Sequence, residues 1–445
     1  MRFVAKAAIC LLALNAVFLM LMVAVQTLDS TKVQERLRKD DYYGRLTAGN
    51  WPPSPYGQVI DMFTECIAMS AGALPAEGKS ALTRALEHRY IGGIEAGKAD
   101  TCGALTAYLR SGTEVQVWPY IRYWHGYDVY LRPMLRVGIP IARVRYVNQI
   151  LIAILSVGLI YASTRLLPMP VVAGLMGTLF LTTDLFSISF VTVHAIGFMV
   201  SLATAWAAAW HLKSRPDDFA GLRWIALCSG AVFAFVDFLV NPPLTPALLM
   251  FLIVAAVRWN KPNVSARSLL LNSSGVALTW FVSYATTWAG KWVIGAIFLG
   301  PKTVIDDVFP SIVARSVGMG EISTQLSVHF GTPTAANIAA IGWPLFGLAV
   351  AVAAGLLAIT WIRGRFSKDR VGDFLLVVSP ALIPIVWMEL LRNHSIVHAW
   401  FVYRSLGLSL GILVAASMFV LVAANRLPRK VRADHVDPVL ASART

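Results

Sequence analysis

The sequence predicts an all-α polytopic membrane protein: about ten transmembrane helices, with a long helical periplasmic loop between the first two. Three observations predict it. Hydrophobic residues make up 57% of the 445-residue chain and charged residues only 14%, whereas a soluble domain carries about a quarter charged residues. Several apolar runs reach the roughly 20 residues that cross about 30 Å of hydrocarbon as helix. Lys and Arg gather in alternate connections between those runs. The formal net charge of +14 therefore reads as a topology signal, and no nucleic-acid partner is expected.

The first run, residues 4–26, follows Arg2 and Lys6. It exceeds the roughly 7–15 apolar residues of a signal-peptide core, and Ala24-Val25-Gln26 is a poor cleavage site, so a retained helix is expected. Further spans are expected at 147–166, 168–184, 187–211, 222–240, 243–258, 268–298, 338–362, 373–391 and 402–425. Arg165 follows the second span; Lys213, Arg215 and Arg223 follow the fourth; Arg258, Lys261 and Arg267 follow the sixth. Arg363, Arg365, Lys368 and Arg370 follow the eighth, and Arg426, Arg429, Lys430 and Arg432 the tenth. The odd connections are poor in basic residues. This places both termini in the cytoplasm and the odd connections outside. The chain then divides into a first helix (1–26), an outer loop (27–146), a helical block (147–299), a second outer loop (300–337), a last block (338–425) and a basic cytoplasmic tail (426–445).

The first outer loop is punctuated at Gly49 to Pro55, Gly72 to Pro75 and Gly92-Gly93. Between these breaks, Val59 to Ser70 and Ser80 to Tyr90 read as short helices lying on the outer leaflet. Cys66 and Cys102 either pair, if the loop is outside the cytoplasm, or remain two separate thiols. Cys10 and Cys228 fall in apolar runs and read as packing residues. The stretch Trp118 to Pro133 alternates aromatic rings with arginines. It suits an interfacial anchor, a sugar platform, or both: the rings of Tyr123 and Trp124 would stack on a sugar, and Arg122, His125 and Asp128 would bond its hydroxyls or phosphate. The second outer loop carries Lys302, Asp306, Asp307, Arg315, Glu321 and His329, with Val304, Val308 and Ile312 at helical spacing.

Polar residues converge on the outer ends of the spans. Arg392, His394, His398 and Arg404 crowd the last outer turn beside Glu389. Asp184, His194, Asp237, Asn241 and Lys291 fall at the same depth, and the inner halves lack comparable groups. Ionisable groups there imply function, because each costs several kcal/mol unless paired or hydrated. Lys291 either snorkels or, with Arg392 and Arg404, neutralises a lipid phosphate. His394 and His398 are spaced i, i+4 and could share a metal; with no third ligand, bonding to substrate is the expected role. The residues name no definite cofactor; a divalent cation is the one candidate. Asp40-Asp41 and the pair Asp61 and Glu65, i, i+4 on one helix face, offer carboxylates for general-base work.

A first helix, a long outer loop carrying acids and many further helices resemble the GT-C class of membrane glycosyltransferases. The class motif in the first loop is an acidic pair written DDX, DXE or EXD. Asp40-Asp41-Tyr42 matches DDX literally, while Asp61 with Glu65 departs from that spacing. Asp61 is nevertheless the favoured base, because Asp40-Asp41 follows the strongly charged Glu35 to Lys39 and is expected to be solvated. The resemblance implies transfer of a sugar from a polyprenyl-phosphate-linked donor to a glycan, lipid or protein acceptor at the outer face of the membrane. Bacterial members of similar size include pilin arabinofuranosyltransferases and cell-envelope polysaccharide glycosyltransferases. The rival readings are a lipid-linked sugar flippase or transporter, and an O-antigen ligase-type oligosaccharide transferase. A transporter would show internal repeats and polar midplane breaks, and the ligase type usually carries its large outer loop late in the chain.

Overall fold

The computed structural model describes residues 2–42, 60–93, 100–316 and 329–425. The break at 49–55, Glu321 and the basic tail from Arg426 lie outside the described residues.

The chain is predominantly helical. It begins with α1 (Arg2–Gln26), an almost unbroken apolar helix at the edge of the bundle. The first loop then builds a compact layer from α2 (Ser30–Tyr42), α3 (Met62–Ala73), α4 (Ala81–Glu87), β1 (Tyr90–Gly93), α5 (Thr101–Ser111), β2 (Gln116–Trp118) and α6 (Asp128–Arg136). Three of its helices start where a side-chain oxygen caps a free backbone amide: Asp61 on Thr64, Ser80 on Thr83, and Asp100 on Gly103. Both expected short helices form, with α4 ending earlier because His88 turns left-handed at φ 43°. Past that turn the aromatic and β-branched run makes a small antiparallel sheet, pairing Tyr90 with Trp118 and Ile91 with Val117. This two-stranded sheet, its strands separated in sequence by α5, corrects the purely helical expectation. Cys66 and Cys102 form a disulfide that joins α3 to α5.

The bundle follows: α7 (Ile141–Thr164), α8 (Met169–Thr183), α9 (Leu185–Ile188), α10 (Thr192–Ser214), α11 (Phe219–Val236), α12 (Leu244–Asn260) and α13 (Ala266–Leu299). After it come α14 (Pro301–Ser316), α15 (Thr332–Ile341), α16 (Trp343–Ile362), α17 (Lys368–Val378), α18 (Leu382–Leu390), α19 (Arg392–Val397) and α20 (Ala399–Ala424). Among the described residues, seven helices are long and apolar enough to cross a membrane: α1, α7, α10, α11, α16, the joined α17–α18 unit and α20. The helices at the third and sixth expected spans have only 15 and 17 residues, about 23 and 26 Å at 1.5 Å per residue. The seventh expected span is a continuous 34-residue helix, longer than foreseen but less apolar than the seven.

Burial explains the arrangement. α20 and α12 are the central posts, and α1 and α16 the least buried long helices. One hydrophobic core fills the bundle, and a second runs from Val33, Leu37 and Ile67 in the first-loop layer to Phe401 and Tyr403 on α20. The layer is thus packed onto one end of the bundle rather than floating beside it. The expected aromatic platform lies inside this second core. Tyr123, Trp124 and Tyr127 are almost wholly buried, and of that run only Trp118 and Pro119 are exposed. Neither an interfacial anchor nor an open sugar surface describes them. Gly126 shows why the run must sit there: its amide donates to the Phe235 carbonyl at 2.7 Å, and a Cβ would lie 2.5 Å from the Phe235 ring.

Candidate functional site

The first-loop layer meets the bundle through α3, and that meeting assembles the site. Glu65 is fully buried and accepts from the Thr192 amide at 2.6 Å and its hydroxyl at 2.9 Å. It caps the N-terminus of α10, where the helix dipole favours negative charge. Burial raises its pKa above the ordinary carboxylate value, although the Arg145 charge and the Thr192 donors oppose the shift. Glu65 is therefore a docking residue, and its carboxylate is already occupied.

One turn earlier on α3, Asp61 Oδ1 accepts from the Thr64 amide at 3.1 Å, and Oδ2 lies 3.2 Å from His194 Nε2. On the far side of that ring, Arg404 Nη1 donates to His194 Nδ1 at 2.8 Å. A guanidinium can only donate, so Nδ1 is an acceptor and the ring proton sits on Nε2, facing Asp61. The result is a chain: carboxylate, neutral imidazole, guanidinium. Arg404 is fixed by the Thr183 carbonyl and the Ser187 hydroxyl, each within 3.3 Å. Burial pushes the Asp61 pKa up, but the hydrogen bonds from His194 and Thr64 outweigh it and hold Asp61 below the ordinary carboxylate value. It stays ionised while almost fully enclosed, a state suited to accepting a proton.

Asn241 and Asp237 shape the floor. Asp237 accepts from the Leu239 and Val240 amides and folds the segment after α11 into a turn, in which Leu239 takes φ 73°. Asn241 bonds the Phe401 carbonyl and the Ser405 hydroxyl, tying that turn to α20. Behind them, His194, Ser201, Asp237, Asn241 and Arg404 border a cavity of about 10 Å³, room for about one water.

The last outer turn supplies a second imidazole chain. Arg315 Nη1 on α14 donates to His394 Nδ1 at 2.8 Å, and His394 Nε2 donates to the Leu239 carbonyl at 2.9 Å. His398 lies next to it, ring centroids 4.7 Å apart, and stacks on Phe401. The Phe401 ring has His194, His394 and His398 within 6 Å. Burial, and then the Arg315 charge, push His398 down to about 4; the same causes, with His398 itself, hold His394 well below its usual range. Both are neutral near pH 7. Among the described residues no group of three or more His, Cys, Asp or Glu side chains could hold a metal ion.

Other expected site residues are held elsewhere. Lys291 donates to the Ala85 and Leu86 carbonyls at 3.1 and 2.9 Å, closing the C-terminus of α4, with its ammonium over Trp124. It neither snorkels nor shares an anion with Arg392, which bonds the Glu389 carbonyl at 3.0 Å, or with Arg404. Asp40 and Asp41 are buried rather than solvated, which overturns the ground on which they were set aside. Asp40 pairs with Arg36 and accepts from the Ile141 amide at the start of α7, and Asp41 pairs with Arg110 at 2.5 Å. Arg122 pairs with Asp307 on α14 at 2.6 Å. Trp124 donates to the Thr287 carbonyl. His125 donates to the Tyr120 carbonyl and stacks on His88 at 3.7 Å. Asp128 lies 3.8 Å from His88, and burial pushes its pKa up to about 7 against the weaker pull of Arg132.

Of the candidate residues, the structure joins Asp61, Arg404, His394, His398, Asp237 and Asn241, leaves the buried Tyr123 hydroxyl near Arg315 with no hydrogen bond among the described residues, and assigns the rest to structural contacts. Sequence reasoning missed the role of Arg315. Its partner is 79 positions away, so no local pattern marks it.

No protein-family model matches the chain, and no curated protein or solved structure does either.

Proposed function

We propose that this protein is a GT-C-like membrane glycosyltransferase that moves a sugar from a polyprenyl-phosphate-linked donor to a cell-envelope glycan, lipid or protein. The observation that carries the reading is the buried, ionised Asp61 held by His194 and Arg404 at one end of an apolar bundle. In the proposed step an acceptor hydroxyl attacks the anomeric carbon and the bond from that carbon to the phosphate oxygen breaks. Asp61 takes the hydroxyl proton, the configuration inverts, and polyprenyl phosphate leaves. The leaving group needs electrostatic support more than a proton.

The Cys66–Cys102 disulfide supports an outer face for this end, because disulfides persist in oxidising compartments. The basic clustering at the opposite helix ends points the same way. The protein would then sit in a bacterial inner membrane with both termini in the cytoplasm and about ten spans, α8, α12 and α13 being the three beyond the seven longest apolar helices.

The test is transfer from radiolabelled polyprenyl-phosphate sugars in membranes holding wild-type or Asp61→Asn protein. Loss of about 10²- to 10⁴-fold, the usual contribution of a general base, is expected with unchanged insertion. Undiminished transfer by Asp61→Asn removes Asp61 from the role. Movement of labelled lipid between leaflets with no new glycosidic bond replaces the reading with a flippase.

A further inference from the structure

The two imidazole chains around Phe401 share a design and differ in charge. In each, an arginine Nη1 donates to a histidine Nδ1 at 2.8 Å, and the far ring nitrogen faces an oxygen. In the chain from Arg404 that oxygen belongs to the Asp61 carboxylate, so the positive charge is balanced. In the chain from Arg315 it is the Leu239 carbonyl, which carries no charge. Arg315 makes no ion pair among the described residues. Asp237, which its charge reaches, spends its carboxylate on the Leu239 and Val240 amides. Burying a guanidinium in part without a counter-ion is costly, and the first chain shows how this fold offsets that cost.

Donors near Arg315 are also unused. The Tyr123 hydroxyl is buried and makes no hydrogen bond among the described residues, and the Arg315 guanidinium lies 5.7 Å from that ring. His398 Nδ1, beside His394, is likewise buried and unbonded. A guanidinium whose charge reaches both a phenol and an imidazole, the latter carrying its proton on Nδ1, is a donor set suited to a phosphate oxyanion.

We propose that Arg315, with the Tyr123 hydroxyl and His398, forms an anion seat for a phosphate ester, and that this seat holds the phosphate of the polyprenyl donor. The second clause rests on the glycosyltransferase reading; the first does not. The seat replaces the grouping of Lys291, Arg392 and Arg404 that the sequence suggests. α14 is anchored to deliver it. Asp307 is clamped by Arg122, and the Ala314 carbonyl accepts from Asn393 at 2.6 Å, holding the end of the helix beside α19.

The experiment measures binding of a polyprenyl monophosphate and of inorganic phosphate to full-length protein in nanodiscs, by native mass spectrometry. Wild type is expected to bind the lipid phosphate. Arg315→Ala is expected to weaken binding at least about tenfold, the scale of one charged hydrogen bond. Tyr123→Phe should weaken it less, and Arg315→Lys should restore part of it, which excludes simple misfolding. Lys302→Ala, on the exposed face of the same helix, should bind as wild type. Equal binding by wild type and Arg315→Ala overturns the seat. Inorganic phosphate that competes at equal concentration supports the seat and overturns its assignment to the lipid donor. If Arg315→Ala loses binding while Asp61→Asn keeps full transfer, the seat stands and the role of Asp61 falls.

Discussion

The two ends of the bundle differ in how far their polar groups are used. At the end away from the first loop, ionic groups close on one another near the surface. Asp373 accepts from Arg258 at 2.6 Å and Arg370 at 3.1 Å, Lys261 pairs with Asp217, and His211 lies 3.2 Å from Asp218. These pairs clamp neighbouring helices and leave little unused; the Arg223 Nε is an exception. The first-loop end has ion pairs of its own, such as Arg110–Asp41 and Arg122–Asp307, but several deeply buried groups there keep unbonded atoms, among them the Tyr123 hydroxyl, His398 Nδ1 and both oxygens of Asp128 and Asp184. Buried polar groups in folded proteins are nearly always satisfied, so a concentration of unused ones marks the end where chemistry is expected. One end of the bundle is fastened, and the other is held ready.

Three substitutions sharpen that contrast. The largest effect on stability should come from Arg404→Met. It leaves Asp61 buried beside His194 without its cation, and removing one partner of a buried pair typically costs about 3–5 kcal/mol. Thermal unfolding in detergent should show this drop. An unchanged melting temperature would mean that the chain through His194 does not carry charge compensation.

Next comes Asp128→Asn. The folded-state pKa of Asp128 lies near 7 because burial disfavours its charged form, above the usual unfolded value. The native state therefore holds a proton that the unfolded state has lost, and stability falls as pH rises from about 4 to about 7. The wild type should lose roughly a few kcal/mol over that window. Melting curves at pH 5 and pH 8 should show a relative gain for Asp128→Asn that grows with pH. A gain independent of pH would contradict the assignment. The smallest effect belongs to the fastened end. Asp373→Asn leaves two partly exposed arginines that solvent can screen, and a loss of about 1 kcal/mol with no change in transfer is expected.

Much of this was legible in the sequence. Apolar runs of sufficient length fixed the long helices, because hydrocarbon thickness sets helix length. The depth shared by His194, His394, His398 and Arg404 foretold their gathering, although Lys291 and Arg392, read at the same depth, bond elsewhere. Pairing was not legible. Lys291 reaches the end of α4 more than 200 positions away, and Arg315 reaches His394 across 79; no local period encodes such contacts. The fate of the Trp118 to Pro133 run was also hidden. Tyr and Trp suit a wet interface and a core equally, since each has an apolar body and one polar atom. Only the close approach of Gly126 to Phe235 decides between them. Asp40 and Asp41 mislead for a related reason: a charged run reads as solvated until its partners, Arg36, Arg110 and the Ile141 amide, come together in space.

The central claim is that the end built around Asp61 faces away from the cytoplasm. Side-specific labelling tests it most directly. Single cysteines placed at Glu114, exposed on the first-loop layer, and at Ser214, exposed at the opposite end, would be treated with a membrane-impermeant maleimide in intact cells, in a background where Cys10 and Cys228 are replaced. The account predicts labelling at position 114 and protection at 214 until the cells are opened. Labelling at 214 with protection at 114 would contradict it.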